Sequence, residues 1–430
     1  MTQPPAAKAP APRPTRHLRP TDLRAAAQLA VQATHGVATL AEGVHQAVWG
    51  SMAVPGGPAP GQTRGLTGFV YRAVHEVTRL VGHALEASFT RLEPLLGHLV
   101  DAPPETPQRE AVLAALNGVL GDRLAGHHNP LATPMTLRLN GKVLDWQSPP
   151  ETTAAAPLQA QVLLVIHGLC MNDLQWCSPA RSEGEPPFDP GIALARALGY
   201  TPLYLRYNSG LHVSQNGALL SEQLELLTRH WPVGLQELRV LAHSMGGLIT
   251  RSALHHAQQQ GLQWPARLKA IVFLGTPHHG APLERAGNWI DVVLGTTPFS
   301  RPFAKLGHLR SAGITDLRYG FLLADDWQGR DRFRRQPDRR AHVPLPDAVA
   351  CFCVAATLAR QRSPLSERIV GDGLVPLDSA LGQHPQPQRC LAFPKAHQSI
   401  AYGTHHMQLL SSPAVYQQVL AWLIIQAEPR

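Results

Sequence analysis

A serine placed between small residues is the feature of this sequence that most suggests chemistry. The run Leu238–Arg251 reads as a short apolar strand, a tight turn carrying Ser244, and a helix, with Ala242 and Gly246 as the small neighbours. Such a turn holds a serine in a strained conformation and exposes its hydroxyl at the carboxyl edge of a sheet. A buried serine at an ordinary strand–helix junction would show the same pattern, so other residues must decide between the two.

A serine hydroxyl becomes an effective nucleophile when a histidine removes its proton and an acid orients that histidine. Asp372 lies between two glycines after a predicted strand, which suits a carboxylate held on a tight loop. An Asx turn is the alternative interpretation of this aspartate. His405 and His406 come later, just before the final helix, and we expect one of the two to be the base.

Two backbone amides are needed to stabilise the oxyanion that forms when a serine attacks a carbonyl carbon. One is the amide of Met245, directly after the serine and at the positive end of the following helix. The other is expected in the loop after the strand that ends at Ile166, where the flexible Gly168 allows the Leu169 amide to turn into the site. Cys170 is the neighbouring alternative.

Strands and helices alternate from residue 135 onward, and this alternation must position the candidate residues. An Asn140–Gly141 turn predicts a hairpin over Met135–Trp146. Besides the strand and helix around the serine, strands are predicted at 162–166, 202–207, 268–274, 349–354 and 389–393, and helices at 190–198, 219–230 and 413–425. Strands buried on both faces and alternating with helices predict a doubly wound, mostly parallel sheet, whose chemistry lies at the carboxyl ends of the strands.

The first 130 residues have a different character. Residues 1–20 are rich in proline and are predicted to be a disordered tail. Three amphipathic helices are predicted over 21–130, and the third opens at Thr106–Pro107. We expect these helices to pack as a bundle on the domain that follows; docking on a lipid surface or on a partner is the alternative.

Five short stretches, taken together, resemble the lipase/esterase branch of the α/β-hydrolases. They are His167–Gly168, Ala242–Gly247, Gly275–His278, Gly371–Pro376 and His406–Leu410. The resemblance covers residues 135–430 and extends to bacterial lipases and to the hydrolase domain of GPI inositol-deacylases. It implies an α/β-hydrolase fold in which Ser244 is the nucleophile, Asp372 the acid and His406 the base. The chain order of these three residues is also that of the superfamily.

Two positions depart from the pattern of this branch. Ala242 replaces the first glycine of the usual serine pentapeptide, and Gln408 stands where relatives often carry an aspartate. The residues after His406 fit the family pattern, which favours His406 over His405 as the base. The remaining residues expected to line the pocket are His167, Gly168, His243, His278 and His405.

An insertion over residues 281–340 is expected to form a lid. Its first part, 281–330, carries large apolar side chains among glycines, and the resemblance places an insertion at this point over the serine. An apolar lid would favour acyl chains and exclude water, whereas ordinary packing of an extra helix is the alternative. The arginine-rich stretch 330–340 is expected to be a solvated loop, with contact to phosphate or an anionic surface as the alternative.

The composition narrows the range of partners. The net charge of +8 is spread along the chain without a nucleic-acid-binding motif, so no nucleic-acid partner is expected. Five cysteines do not suggest a disulfide framework, and neither metal-ligand spacing nor a nucleotide-binding loop is seen, so no metal or cofactor is expected. No apolar run of 18 residues and no signal-like segment is seen. We therefore expect no transmembrane segment and a cytoplasmic location.

The candidate residues together predict a serine hydrolase that cleaves carboxylic esters of the acyl-lipid type through an acyl-enzyme. A thioesterase, amidase or acyltransferase using the same three residues is the alternative among enzymes. A non-catalytic protein that docks on a lipid surface or on a partner is the alternative outside them. Contact with a lipid surface would use the N-terminal helices or the stretch 330–340.

Overall fold

The computed structural model describes most of the second half of the chain. The described residues are 105–148, 150, 157–179, 186–281, 310–331, 338–360 and 371–426, with residues 28 and 76. The predicted tail, most of the first two predicted helices and most of the predicted lid, including 282–309 and 332–337, lie outside them. Met1–Thr106 with His128–Leu131 form one compact unit, and Pro107–His127 with Ala132–Arg430 form the other. The predicted domain boundaries at residues 20, 130 and 135 stay predictions.

An eight-stranded sheet forms the centre of the second unit. Its strands are β1 (Thr136–Leu139), β2 (Lys142–Val143), β3 (Gln161–Ile166), β4 (Thr201–Arg206), β5 (Glu237–His243), β6 (Leu268–Leu274), β7 (Ala350–Thr357) and β8 (Gln398–Tyr402). The order across the sheet is β2-β1-β4-β3-β5-β6-β7-β8. Strands β3 to β8 run parallel, while β1 is antiparallel to both β2 and β4. The mostly parallel sheet confirms the predicted fold class.

Both faces of the sheet are covered. Leu164 and Ile166 of β3 belong to one apolar core, whereas Leu163 and Val165 belong to a second. Successive side chains of a strand point to opposite faces, so the two cores lie on opposite sides of the sheet. The continuous apolar run of β3 is the signature of a strand buried on both faces, and it explains why the sequence predicted this strand correctly.

Seven α-helices are described in this unit, in addition to short 3₁₀ turns. They are α1 (Pro107–Gly126), α2 (Pro190–Leu198), α3 (Val213–His230), α4 (Met245–Gln260), α5 (Ala312–Tyr319), α6 (Leu377–Ala380) and α7 (Pro413–Ile425). The bounds of α2 match the prediction: the Asp189 carboxylate accepts the Ile192 amide at its start, and Gly199 ends it with φ 73°. No described helix is long and apolar enough to cross a membrane.

Two predicted elements differ from the structure. Helix α3 begins at Val213, six residues before the predicted start at 219, because polar Ser214, Gln215 and Asn216 hide the apolar period of its first turn. The predicted strand at 389–393 is wrong, since Pro387–Arg389 is a 3₁₀ turn and no described strand follows it before β8. Prolines before and after this segment remove ladder donors.

The true last strand, β8, lies at the edge of the sheet. All five of its residues are only partly buried, so it lacks the continuous apolar run that predicts a buried strand. Leu391 and Phe393, whose apolar character suggested a strand, instead pack into the core from an irregular segment. The Leu391 amide is satisfied there by the Gly382 carbonyl at 2.8 Å.

Helix α1 joins the sheet through a network of buried charges. Glu110 of α1 lies 2.8 Å from Arg206 at the end of β4, and Arg206 also contacts Asp173. Asp173 in turn lies 3.1 Å from Arg138 of β1. All four residues are less than a tenth exposed, so each charge depends on its partners for solvation. The network thus fixes α1, β1 and β4 to the loop that follows β3.

Candidate active site

Ser244 occupies a strained turn between β5 and α4. Its backbone has φ 54° and ψ −122°, a left-handed region that non-glycine residues rarely adopt. The Ser244 amide donates to the Leu274 carbonyl at 2.8 Å, which fixes the turn against the end of β6. The serine is 9% exposed, at the carboxyl edge of the sheet. The strained conformation predicted from the small residues around the serine is present.

Glycine is required after the serine because two loops approach α4 closely. A Cβ at Gly246 would lie 2.8 Å from the carbonyl oxygens of Ile166 and His167. A Cβ at Gly247 would lie 2.1 Å from the Thr276 hydroxyl. The start of α4 therefore packs directly on the loops that follow β3 and β6, which brings both loops to the serine.

Asp372 and His406 are in direct contact. The Nδ1 atom of His406 lies 2.6 Å from Oδ2 of Asp372. The other carboxylate oxygen, Oδ1, accepts the amides of Leu374 at 2.9 Å and Val375 at 2.7 Å. The two interpretations of Asp372 therefore hold together: one oxygen closes an Asx-type turn, and the turn presents the other oxygen to the histidine. Both residues are buried, at 1% and 2% exposure.

The His406 ring lies beside the serine turn. A Cβ at Gly275 would lie 3.0 Å from Nδ1 of His406, and Gly275 directly follows the Leu274 carbonyl that accepts the Ser244 amide. The ring centroid of His406 is also 4.6 Å from that of His243. Within the described residues the Ser244 hydroxyl makes no hydrogen bond. Hydrogen bonds between nucleophile and base are often long without substrate and tighten when it binds.

The loop after β3 packs against the serine turn, and it contains the two backbone amides that the sequence raised as oxyanion donors, those of Leu169 and Cys170. A Cβ at Gly168 would lie 3.0 Å from the Cβ of Ser244. The Cys170 amide donates to the Ser209 hydroxyl at 3.0 Å and is therefore engaged. The Leu169 amide has no acceptor among the described residues. Of the two amides raised by the sequence, that of Cys170 is therefore engaged, and that of Leu169 is available to a ligand.

Two further predicted histidines, His167 and His243, lie in the same cluster. His167 stacks on Tyr207 with ring centroids 4.2 Å apart, and burial lowers its pKa to about 4. Burial, together with the nearby His406 ring, holds the pKa of His243 well below its usual range. Both rings are therefore neutral at pH 7 and add no positive charge beside the proposed base.

The other two predicted pocket histidines lie elsewhere. Nδ1 of His278 lies 3.3 Å from Nη1 of Arg251, in a separate pocket described below. His405 precedes the turn His406–Leu410, and its amide donates to Oε1 of Gln408 at 3.0 Å. Burial and the neighbouring His406 lower the pKa of His405. Gln408 thus supports the histidine turn by an amide cap, in the place where relatives often carry a charge.

Three residues of the site were not singled out from the sequence. Tyr207 stacks on His167 and donates its hydroxyl to the His167 carbonyl at 2.8 Å. Ser209 accepts the Cys170 amide, and Trp176 meets the His243 ring edge-on at 6.3 Å. Tyr207 and Ser209 directly follow β4, at the same edge of the sheet as the serine, and that position was the available signal.

No candidate metal centre accompanies this cluster. Among the residues that the structure describes, no group of three or more histidine, cysteine, aspartate or glutamate side chains could hold a metal ion.

One family model matches part of this chain. Residues 157–342 match the family of PGAP1-like alpha/beta domains. The matched residues make up less than half of the chain. With the parallel sheet and the strained serine between β5 and α4, the match supports the resemblance to the lipase/esterase branch of the α/β-hydrolases. A search of curated proteins gave no match.

Several solved structures of esterases and lipases are similar to this chain at low sequence identity. A Bacillus licheniformis lipase in its mature form is 16% identical, with a TM-score of 0.39 over 68% of this chain and 99% of that one. A Pyrobaculum calidifontis esterase is 11% identical, with a TM-score of 0.36 over 78% of this chain and 97% of that one. A lipase-esterase related protein from Clostridium acetobutylicum is 12% identical, with a TM-score of 0.33 over 68% and 99%.

Proposed function

We propose that this protein is a serine hydrolase that cleaves carboxylic esters through an acyl-enzyme. The observation that carries the proposal is the 2.6 Å contact between Asp372 and His406 beside the strained turn of Ser244. A buried carboxylate that fixes one ring nitrogen of a histidine leaves the other nitrogen available to accept a proton. In this proposal Ser244 is the nucleophile, His406 the base and Asp372 the acid that orients it.

In the first half of the reaction Ser244 is acylated. The Nε2 atom of His406 takes the hydroxyl proton while Oγ of Ser244 forms a bond to the carbonyl carbon. The Asp372 carboxylate stabilises the resulting imidazolium through Nδ1. The carbonyl oxygen becomes an oxyanion that accepts the amides of Leu169 and Met245, each contributing about 3 kcal/mol to the transition state. The bond to the leaving alkoxide then breaks, and His406 returns the proton to that alkoxide.

In the second half water releases the acid. His406 accepts a proton from water as the water oxygen attacks the acyl carbon, and the same two amides hold the second oxyanion. The bond from carbon to Oγ of Ser244 breaks, and the proton on His406 passes to Oγ. The products are a carboxylic acid and the free serine, so no cofactor is needed.

Acyl-lipid-type esters are the proposed substrates. The support is the apolar sequence of the predicted lid, whose residues 282–309 lie outside the described part of the chain, together with the sequence resemblance to lipases. Apolar walls bind acyl chains and exclude water from the acyl-enzyme. Contact with a lipid surface through the N-terminal helices or the stretch 330–340 belongs to the same proposal.

The test combines covalent labelling with a substrate series. A fluorophosphonate should label the wild type and the matched control Ser399→Ala, but not Ser244→Ala. On p-nitrophenyl esters of increasing acyl length, Ser244→Ala should lose nearly all turnover, about a million-fold for a triad nucleophile, with an unchanged circular dichroism spectrum. Equal rates in the wild type and Ser244→Ala would exclude the serine mechanism. Thioesters and anilides of the same acids show whether the preferred leaving group is an alkoxide, a thiolate or an amine. If either is cleaved faster than the ester, the protein would be a thioesterase or an amidase and not an esterase.

A further inference from the structure

A pocket lined by arginine and histidine lies next to, but apart from, the cluster around Ser244. We call it the arginine pocket. It is partly open to solvent and is lined by Arg251, His278, His279, Gly320, Leu322, Arg340, Ala341, His342, Val343, Arg389 and Leu391. Its lining comes from α4, the loop after β6 and the segments that flank β7. The described lining contains no carboxylate.

Arg251 is a buried charge without a carboxylate partner. The residue is 5% exposed, and no carboxylate of the described residues forms an ion pair with its guanidinium. Nη2 donates to the Val343 carbonyl, and Nε has no acceptor. Burial, and then the nearby Arg340, lower the pKa of Arg251 to about 10, so the group is still charged at pH 7. A buried charge normally requires an opposite charge to offset its desolvation.

His278 supplies a second donor that lacks an acceptor. Its Nδ1 lies 3.3 Å from Nη1 of Arg251, and a guanidinium can only donate, so Nδ1 must accept. Neutral His278 therefore carries its proton on Nε2. That atom is buried and has no partner in the described part of the chain. Arg251 and His278 together present two unsatisfied donors, which is the inverse of what a buried cation site would require.

The second and third arginines of the pocket share one carboxylate. Nη2 of Arg340 lies 2.9 Å from Oδ2 of Asp338, and Nη1 of Arg389 lies 3.3 Å from the same oxygen. Another carboxylate on the adjoining elements, Asp326, accepts backbone amides, among them that of Ala341 at 3.2 Å. The charge of Arg251 therefore stays uncompensated.

The histidines around the pocket respond to this positive charge. Burial is the largest cause of the lowered pKa values of His279 and His342. Nearby guanidinium groups lower both further: Arg340 and Arg251 act on His279, and Arg251 and Arg389 act on His342. These histidines are neutral at pH 7 and can donate to an anion, and an anion would favour their protonation.

We propose that the arginine pocket binds a phosphate group, either as free phosphate or as part of a phosphate monoester. A phosphate offers acceptors to a pocket whose described lining holds three arginines and three histidines but no carboxylate, and its negative charge offsets the excess guanidinium charge. Arg340 is the last residue of the arginine-rich stretch 330–340. Contact of that stretch with phosphate was one of the two interpretations of its sequence. The proposal does not depend on the chemistry at Ser244, and the Ser244→Ala variant should bind phosphate as the wild type does.

Isothermal titration calorimetry with inorganic phosphate, at constant ionic strength in chloride, tests the proposal on the full chain. The wild type, Ser244→Ala and the control Arg267→Gln should each bind one phosphate. Arg251→Gln should bind about tenfold more weakly or worse, as expected for the loss of a charge-assisted hydrogen bond. Arg389→Gln alters a side chain that is 20% exposed, so it should fold and should also bind more weakly, even where Arg251→Gln does not fold.

A second arm separates the two sources of phosphate. Sedimentation with phosphatidylcholine vesicles, with and without phosphatidic acid, measures binding to a lipid phosphomonoester. Binding by the wild type in either experiment that weakens in Arg389→Gln supports phosphate binding in the arginine pocket. The experiment in which it occurs shows whether the ligand is free phosphate or a lipid phosphomonoester. The proposal would be overturned if the wild type showed saturable binding neither to inorganic phosphate nor to phosphatidic acid vesicles. Equal binding by the wild type and Arg389→Gln would also overturn it.

Discussion

The backbone at Gly168 touches the side chain of Ser244: a Cβ at position 168 would lie 3.0 Å from the Cβ of the serine. The same Cβ would lie 3.1 Å from Nδ1 of His243. Because Leu169 follows directly, this contact sets the distance between the serine and one proposed oxyanion donor. Glycine at 168 is thus a requirement of the site and not only of the loop.

Gly168→Ala should therefore impair catalysis more than folding. Displacing the Leu169 amide by a fraction of an ångström from a preorganised oxyanion site should lower kcat about 100-fold. Steady-state hydrolysis of a p-nitrophenyl ester measures the loss. Gly126→Ala is the matched control, since a Cβ there would meet nothing within 4 Å, and it should keep full activity. Full activity in Gly168→Ala would contradict the role given to this loop.

Asp372→Asn should abolish most activity while leaving the fold intact. The amide nitrogen would face Nδ1 of His406 with a donor, which favours the wrong tautomer of the base, and a loss of about 10⁴-fold in kcat is expected. Asp378→Asn is the control, because Asp378 lies on the exposed side of the short helix α6. A variant at 372 that keeps a tenth of the wild-type rate would show that the 2.6 Å contact is not used in the reaction.

The buried charge network should dominate the stability of the sheet near α1. Asp173→Asn removes the carboxylate shared by Arg138 and Arg206 and leaves buried positive charge behind. We expect a loss of about 3 kcal/mol in the free energy of unfolding, measured by urea titration. The control is Arg229→Gln, whose side chain is 63% exposed in its pair with Glu225, and it should cost about 0.5 kcal/mol or less. Similar losses in both variants would mean that burial does not determine how much these ion pairs contribute to the free energy of unfolding.

Burial of His167 should make stability depend on pH. Its pKa falls from 6.5 to about 4 on folding, so between these values the unfolded chain binds a proton that the native chain does not. The contribution is fully present above about pH 6.5 and is lost as the pH falls toward 4, by up to about 3 kcal/mol. Urea unfolding at pH 7 and pH 5 measures the slope, which should be smaller in His167→Gln. An unchanged slope would show that His167 is not the group that titrates.

The sequence predicted correctly those elements whose residues show a local pattern, such as an apolar run, a helix cap or a turn motif. Strand β3 is apolar from Val162 to Ile166 and β6 from Ala270 to Leu274. Helix α2 begins at a capped proline, and the Asn140–Gly141 turn closes its hairpin with both residues at positive φ. The edge strand β8 was missed because partial burial leaves no such pattern. Sequence patterns therefore predict an element when its own residues determine its structure, and they fail when contacts with neighbouring elements determine it.

The candidate site divides in the same way. Ser244 and Met245 were accessible because the elbow is a contiguous motif, and Asp372 and His406 because their order follows that of the strands. The partners of His278 and of Asp173 were not accessible. Arg251 and His278 are 27 positions apart, and Glu110 and Arg206 are 96 positions apart, so only the folded chain brings them together.

Ala281 donates its amide to the Leu317 carbonyl at 2.9 Å, so the end of the loop after β6 is held to helix α5 by backbone atoms. That bond makes no demand on the identity of the intervening side chains. The described residues on the two sides of the segment 282–309 are therefore joined through the main chain, and changes of side chain at Ala281 or Leu317 leave the bonding atoms in place.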